Sequence, residues 1–294
     1  MWGARPTTPR PKVATTVRPE VQAPVWLWLH DLLDPAAAAG LAMLAAHVPV
    51  LPLPLPVALA SRWRLAVSGQ GTALGLHTPM GRFTTTPGVA GGPEAGGAPA
   101  GRLLAGVIHT HQGLALPDTL PDRDYKAAEW QALLWASLHG APVPVLNRPR
   151  PAQVAGPASA GSLAAQRAWW CQRLARAGLS VWPTTAAAAG LAGERWGLMV
   201  AGSRVVLAEG APLPGWPASA QRRLCALARA EGVDWLALAG MEDASGCWRI
   251  SQASTRPDLR PFGAAGAQAL AAWLQRRAGT ALAKAAAPRV VEAH

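Results

Sequence analysis

Lysine is almost missing from this chain of 294 residues. Its 27 basic residues include three lysines, Lys12, Lys126 and Lys284, which leaves 24 arginines. Chemistry that needs a lysine in the interior of the chain is therefore nearly excluded. Phenylalanine and tyrosine are also scarce, at two and one, against 14 tryptophans. This bias indicates an alanine- and arginine-rich composition throughout, so the net charge of +11 is weak evidence for nucleic-acid binding.

The sequence also lacks the short motifs of several enzyme classes. The cysteines Cys171, Cys225 and Cys247 are odd in number and widely spaced, and no CxxC pair occurs. Neither a zinc site nor a disulfide framework is indicated, and we expect a reducing, cytoplasmic location. No GxGxxG follows the first predicted strand, and GxxxxGK[ST] and GxSxG are absent. Dinucleotide, P-loop and hydrolase sites are therefore unsupported.

Long apolar stretches are interrupted before they could cross a membrane. Half of the residues are hydrophobic, which is enough for a sizeable core and excludes wholesale disorder. Residues 35–61 carry no Asp, Glu, Lys or Arg but contain five prolines. A spanning helix needs about 20 continuous apolar residues, so we predict a soluble protein with no membrane partner. Residues 1–22 are rich in Pro, Thr and Arg, lack a signal-peptide core, and are predicted to be a flexible tail.

The first elements predict a β-α-β unit. Residues 23–30 are an apolar run typical of a buried parallel strand, and residues 48–53 predict a second strand. Between them, Asp31 and Asp34 are expected to cap a helix over 35–46 that has proline in its first turn. This order predicts an open α/β sheet.

The remaining elements follow from apolar periodicity and from glycine or proline stops. A hairpin is predicted over 63–77, and strands over 103–109, 143–146, 179–182, 235–239 and 248–252. A second hairpin is predicted over 196–208. Helices are predicted from Asp122 or Asp124 to His139, and over 162–177, 218–230 and 264–277.

Three segments then resemble one family. They are DRDYKAAEWQALLWASL (122–138), PVLNRP (144–149) and QRLARAGLSVWPT (172–184). In this order they resemble ATP-grasp proteins, most of all ribosomal-protein-modifying glutamate ligases and peptide-cyclising ligases. The resemblance covers residues 25–185 and, more weakly, 194–278. It implies an α/β fold with an N-terminal open-sheet domain (23–185), a shortened ATP-grasp-like α+β region (194–278) and a tail (279–294).

The family resemblance also implies an acylphosphate mechanism, from which this sequence departs. In such ligases ATP phosphorylates a carboxylate, lysines on a central lid hold the phosphates, and acidic or amide side chains hold Mg²⁺. Here only residues 185–232 are available for the lid, and no lysine occurs between Lys126 and Lys284. Ala239, Ser251 and Ala253 stand where the metal ligands would fall.

Two readings of the family resemblance are compatible with these departures. The first is a non-catalytic binding or scaffolding subunit in a cofactor or peptide-modification pathway, with another protein subunit as its partner and no cofactor. The second is a minimal Mg-ATP-dependent carboxylate–amine ligase. In the second, Arg195, Arg204 or Arg249 would handle phosphate, and Asp234 or Glu242 would hold Mg²⁺.

A third reading is a module that binds an anion or a nucleic acid. Residues 130–193 contain no acidic side chain. They predict a site for an anionic small molecule or an acidic peptide, formed by Arg148, Arg150, Arg167, Arg173 and Arg176. Trp169-Trp170 lies among these arginines, although no known nucleic-acid motif is present, so nucleic acid is the weaker candidate. The competing interpretation, that Trp170 and Leu174 are core and the arginines solvated, is favoured.

Other polar residues are interpreted as structural. His109 and His111 would share a face of a strand end, but no third metal ligand is evident. The carboxylates that surround the predicted helix start are expected to serve as caps: Asp118, Asp122, Asp124 and Glu129. Glu242-Asp243 is expected to form a solvated turn with Ser245-Gly246.

Overall fold

A computed structural model describes residues 23–68, 71–85, 101–109, 121–149, 163–182, 195–209 and 216–286. The predictions made for the 1–22 tail and for Asp118, His111 and Arg150 lie outside these residues.

The described strands form two sheets. The larger sheet has the order β2-β1-β6-β5-β4-β3. Its neighbours are parallel from β2 to β5 and antiparallel from β5 to β3. Its strands are β1 (Val25–His30), β2 (Val50–Pro54), β3 (Arg62–Ser68), β4 (Gly71–Thr78), β5 (Gly81–Thr84) and β6 (Arg102–His109).

The smaller sheet is antiparallel and has the order β10-β9-β7-β8. Its strands are β7 (Arg195–Ala201), β8 (Arg204–Leu207), β9 (Trp235–Glu242) and β10 (Trp248–Ser254). The described helices are α1 (Pro35–Ala45), α2 (Leu55–Ala60), α3 (Arg123–Gly140), α4 (Leu163–Arg176), α5 (Ala218–Ala230) and α6 (Gly263–Ala286).

Helices and sheets alternate in five layers. On one face of the larger sheet, α2 and α3 help to form an apolar cluster that includes Leu55 and Leu138. Its other face packs on α1 and α6, and α6 also covers the smaller sheet. The outer face of the smaller sheet packs on α4 and α5 through Trp170 and Leu224. The two sheets therefore share a central core, while each also has an apolar cluster of its own.

Side-chain alternation explains why both faces of the smaller sheet are covered. In β7, Leu198 and Val200 point to the outer cluster, whereas Met199 and Ala201 point to the shared core. Since successive residues of a strand face opposite sides, an uninterrupted apolar run needs a partner on each side. The same reasoning predicted β1, whose first five residues are all buried.

The predicted open α/β sheet is confirmed, and the helix that follows β1 begins where expected. Asp34 is its N-cap and accepts a hydrogen bond from the Ala36 backbone N–H at 2.9 Å. Trp170 and Leu174 are fully buried, as predicted. The turn at Asp243 also forms as predicted, with its carboxylate accepting from the backbone N–H groups of Ser245 and Cys247.

Several predicted elements are wrong or incomplete. Residues 143–146 and 179–182 each form a single bridge rather than a strand. The neighbouring prolines explain this, because Pro144 and Pro183 have no N–H with which to extend a ladder. The elements α2 and β5 were not predicted.

Two helix ends also differ from the prediction. The last helix continues to Ala286, since alanine, leucine and lysine favour helix, so part of the predicted 279–294 tail is helical. Asp122 precedes α3 in a left-handed conformation and makes no side-chain cap.

Candidate functional site

The positions at which the family resemblance implies metal ligands lie within the smaller sheet. Ala239 and Ser251 are 1% and 2% exposed. The Ser251 hydroxyl donates to the Ala239 carbonyl at 3.2 Å. The Cys171 thiol of α4 donates to the Ser251 carbonyl at 3.7 Å, so α4 packs directly on this position. Ala253, on β10, has no donor atom in its side chain.

This set of side chains does not fit a magnesium ion. Mg²⁺ prefers carboxylate and other hard oxygen ligands, and positions 239, 251 and 253 offer one hydroxyl that is already used. Within the described ranges, no three His, Cys, Asp or Glu side chains lie close enough together to hold a metal ion.

Asp234 and Glu242, predicted as magnesium ligands, flank opposite ends of the same strand. Asp234 immediately precedes β9 and Glu242 ends it. At about 3.3 Å per residue the two are roughly 26 Å apart, so they cannot coordinate one ion. Glu242 is exposed and opposite Trp248. Asp234 instead accepts a hydrogen bond from Arg277 Nη2 at 3.0 Å.

The three predicted phosphate-binding arginines lie at two ends of the smaller sheet. Arg195 on β7 is paired with Gly240 of β9, and Arg249 on β10 is paired with the next residue of β9, Met241. These two arginines therefore lie at the same end of the smaller sheet. Arg204 pairs with Ala201 at the opposite end. Arg195 and Arg204 are exposed.

Arg249 is engaged by the turn at the end of β9. Its Nε donates to Asp243 Oδ2 at 2.6 Å, and its guanidinium lies 5.9 Å from the Trp182 ring centroid. Hydrogen bonds from Ser245 and Arg249 lower the pKa of Asp243. Arg249 therefore helps to fix this turn.

The described arginines predicted to bind an anion do not converge on one point. Arg167 donates to Gln252 Oε1 at 2.7 Å. Arg173 pairs with Glu231 at 3.4 Å and lies 5.2 Å from the Trp169 ring centroid. Arg176 is exposed at the end of α4.

Arg148 has a structural position at the end of α3. Its Nη1 donates to the carbonyls of Leu138, His139 and Ala141 at 3.1, 2.7 and 2.8 Å, and its Nη2 donates to the carbonyl of Val143. The last carbonyls of a helix have no partner within the helix, so Arg148 satisfies them. Burial lowers the pKa of Arg148, and the charge of Asp234 opposes that shift.

Asn147 joins the two sheets, a role that the sequence analysis missed. It is 5% exposed and left-handed, with φ of 50°. Its Nδ2 donates to the carbonyls of Trp235 and Thr255 at 3.0 and 2.7 Å. Its Oδ1 accepts from the N–H groups of Asp234 and Trp235, both at 2.8 Å. One signal was available, because Asn147 is the chain's only asparagine.

His109 belongs to the same junction. It is 7% exposed, its Nε2 lies 3.2 Å from the Asn147 carbonyl oxygen, and its ring meets the Trp135 ring edge to face. The structural interpretation of this histidine is therefore confirmed.

A cleft of about 580 Å³ opens beside this junction. Its walls are the segment that follows α3, the turn between α5 and β9, and one side of α6. The floor is apolar and includes Val143, Val233 and Trp273. The polar residues that line it are His139, Arg148, Arg229, Asp234, Arg277 and Thr280.

Positive charge predominates in this cleft, which holds three arginines and one aspartate. Burial raises the pKa of Asp234, and the hydrogen bond and charge of Arg277 oppose that rise. The His139 Nδ1 lies 2.9 Å from the Pro149 carbonyl oxygen. Because a carbonyl only accepts, Nδ1 is the donor in this hydrogen bond.

Three solved structures with a similar fold are distant from this chain in sequence. A RiPP-associated ATP-grasp ligase from Chryseobacterium gregarium, in complex with ADP and a leader and core peptide, has a TM-score of 0.55 at 10% identity, covering 91% of this chain and 98% of that one. The macrocyclase MdnC from Microcystis aeruginosa MRC, bound with the precursor peptide MdnA, has a TM-score of 0.57 at 12% identity. The match covers 86% of this chain and 99% of that one. The ATP-grasp ligase PsnB, complexed with a minimal precursor, Mg and ADP, has a TM-score of 0.50 at 14% identity. The match covers 85% of this chain and 98% of that one.

These similarities identify the architecture. The chain is an α/β protein with an ATP-grasp-like fold, as its segments at 122–138, 144–149 and 172–184 predicted. No family profile and no curated protein matches the sequence. Among the described helices, none combines the length and apolar character required to span a bilayer.

Proposed function

We propose that this protein is a non-catalytic, peptide-binding subunit that acts in peptide modification beside a catalytic partner in the cytoplasm. The observation that carries the proposal is the composition of positions 239, 251 and 253, which are alanine, serine and alanine. The absence of lysine between Lys126 and Lys284 supports it, because no ammonium group is available there for phosphate. Peptide binding is supported by the structural neighbours that are complexed with precursor peptides.

A minimal ligase has less support. Asp234 and Glu242 are roughly 26 Å apart along β9, and Asp234 is paired with Arg277. Within the described ranges, neither carboxylate belongs to a group of three His, Cys, Asp or Glu side chains that could hold a metal ion such as Mg²⁺.

The catalytic question is tested by calorimetry with Mg-ATP and by ADP release in the presence of a precursor-type peptide. We expect no ADP release above the rate without protein. Turnover that is abolished by Asp234→Ala or Glu242→Ala, but is unchanged by Asp124→Ala at an exposed position of α3, would establish the ligase instead.

The partner is tested by affinity purification of the tagged protein from its native cells. We expect an ATP-grasp ligase with a complete magnesium site among the proteins that copurify. If the purified protein modifies a peptide alone, the subunit role is wrong.

A further inference from the structure

Two arginines in the cleft beside Asn147 have donor groups to spare. Arg229 is exposed in the last turn of α5, and its side chain makes no hydrogen bond or ion pair with the described residues. Arg277 on α6 is 55% exposed and uses Nη2 for Asp234. Its guanidinium also lies 5.4 Å from the Trp273 ring centroid. The cleft therefore presents planar cations above an apolar floor.

The lining favours a peptide over a nucleic acid. Trp273 is 4% exposed and Arg277 covers its ring, so it offers no free face for stacking a base. The remaining floor consists of proline, valine, glycine and alanine, which suit small apolar side chains. Guanidinium groups bind carboxylates with paired, charge-assisted hydrogen bonds.

We propose that this cleft binds an acidic peptide segment, with a carboxylate held by Arg229 and Arg277 and an adjacent apolar residue packed on Pro142 and Pro144 of the cleft wall. The inference rests on the proposed peptide-binding function and adds the site and the charge of the bound segment. Arg148 is not a ligand in this arrangement, because both of its terminal nitrogens bind backbone carbonyls.

The test uses fluorescence anisotropy of a labelled decapeptide that alternates glutamate and proline. Its counterpart with glutamine in place of glutamate measures the contribution of charge, and a ten-nucleotide oligothymidine measures nucleic-acid binding. The variants are Arg229→Gln and Arg277→Gln. The matched controls are Arg222→Gln and Arg276→Gln, which are exposed on the same two helices outside the cleft.

We expect either cleft variant to raise the Kd for the glutamate peptide at least about tenfold, because a charged hydrogen-bond pair is lost. The controls should stay within about twofold of the unaltered protein, and the glutamine peptide should bind at least about tenfold more weakly. Arg229→Gln breaks no hydrogen bond or ion pair with described residues, so its effect does not depend on the stability of the Arg277–Asp234 pair.

Different failures separate the two proposals. Equal weakening in cleft and control variants, or equal binding of both peptides, overturns the cleft assignment but leaves peptide binding intact. Tighter binding of oligothymidine overturns it in favour of nucleic acid. If the glutamate peptide does not bind at all, the acidic-segment inference is wrong. ADP release by the protein alone would refute the non-catalytic function, wherever the peptide binds.

Discussion

At the scale of single residues, Asn147 joins the segment after α3 to the smaller sheet through four side-chain hydrogen bonds. Its side chain uses both donor hydrogens and accepts twice, and all four bonds go to backbone atoms at the start of β9 or the end of β10. A backbone group left without a partner in a buried place costs free energy, so these bonds fix the sheet relative to the segment after α3. Aspartate has no amide donors and cannot replace this side chain.

We expect Asn147→Gly to lower the free energy of unfolding by about 3 kcal/mol, because it removes four buried hydrogen bonds. Glycine accepts the left-handed backbone, so no backbone strain adds to the loss of the side chain. The control is Asp122→Gly, at the other non-glycine residue with positive φ among those described, where the side chain is exposed. Urea denaturation measures both, and equal effects would contradict the role of Asn147.

Asp34 and Arg256 form a second link between the sheets. Asp34 Oδ1 accepts from Arg256 Nη2 as well as from the Ala36 N–H. Burial acts to raise the pKa of Asp34, but the hydrogen bond and charge of Arg256 outweigh it, so the pKa lies below 3.8. A lowered carboxyl pKa means that the folded state stabilises the ionised carboxylate more than the unfolded state does.

The stabilisation by Asp34 is therefore fully present above pH 3.8 and is lost as the pH falls through the lowered pKa. We expect Asp34→Asn, which keeps the capping oxygen, to destabilise the protein by about 1 to 2 kcal/mol at pH 7. The difference should shrink below about pH 4 in a series of urea titrations. A difference that does not change with pH would show that the charge of Asp34 contributes nothing.

At the scale of elements, Gly106 allows β6 to approach its neighbours. A Cβ at this position would overlap the Trp26 ring and lie 2.6 Å from the Pro144 carbonyl oxygen. Gly75, on β4 of the same sheet, has no such atom closer than 3.9 Å.

We expect Gly106→Ala to cost about 3 kcal/mol, because the Trp26 ring and the backbone at Pro144 must shift. Gly75→Ala should leave the stability nearly unchanged. Thermal denaturation compares the two variants, and similar melting temperatures would show that the close approach at Gly106 is not required.

The sequence predicted those elements whose signals lie within their own residues. The strand β1 and the helix α1 have signals within their own residues, namely an apolar run and a cap at Asp34 with Pro35 after it. The short elements α2 and β5 span six and four residues, too few to show a period. Residues 143–146 are apolar enough for a strand, but an apolar run alone does not say which strand it will pair with.

The site was less predictable because its partners are distant in sequence. Asn147 bonds to Trp235, 88 residues away, and Arg277 pairs with Asp234, 43 residues away. No local pattern marks such pairs, whereas the family resemblance marked positions 239, 251 and 253 directly. Composition indicated a positively charged surface within 148–176, and the proposed cleft is lined by Arg148 from that range and by two arginines from outside it, Arg229 and Arg277.

At the scale of the whole molecule, the shared core couples the two sheets. The rings of Trp26 in β1 and Trp273 in α6 lie 6.3 Å apart, and residues of both sheets belong to the same buried cluster. Domains that share a core are expected to unfold together.

We expect one unfolding transition in urea, with circular dichroism and tryptophan fluorescence giving the same midpoint. Trp273→Ala should lower the stability of the entire molecule by about 3 kcal/mol, because it empties a volume between the sheets. Two separate transitions, or a variant that destabilises one of them alone, would show that the sheets are independent.

The position of α6 also has a consequence for the order of events during synthesis. The β1 face that bears Trp26 and Trp28 leaves the ribosome early, but part of its covering layer, α6, begins only at Gly263. At 5 to 20 residues per second, this face waits roughly 10 to 50 seconds for Trp273. During that interval the Trp26 ring lacks its Trp273 neighbour, whereas the Trp28 ring can already pack on α1 at Gly40, so the two indole rings of this face are buried at different times.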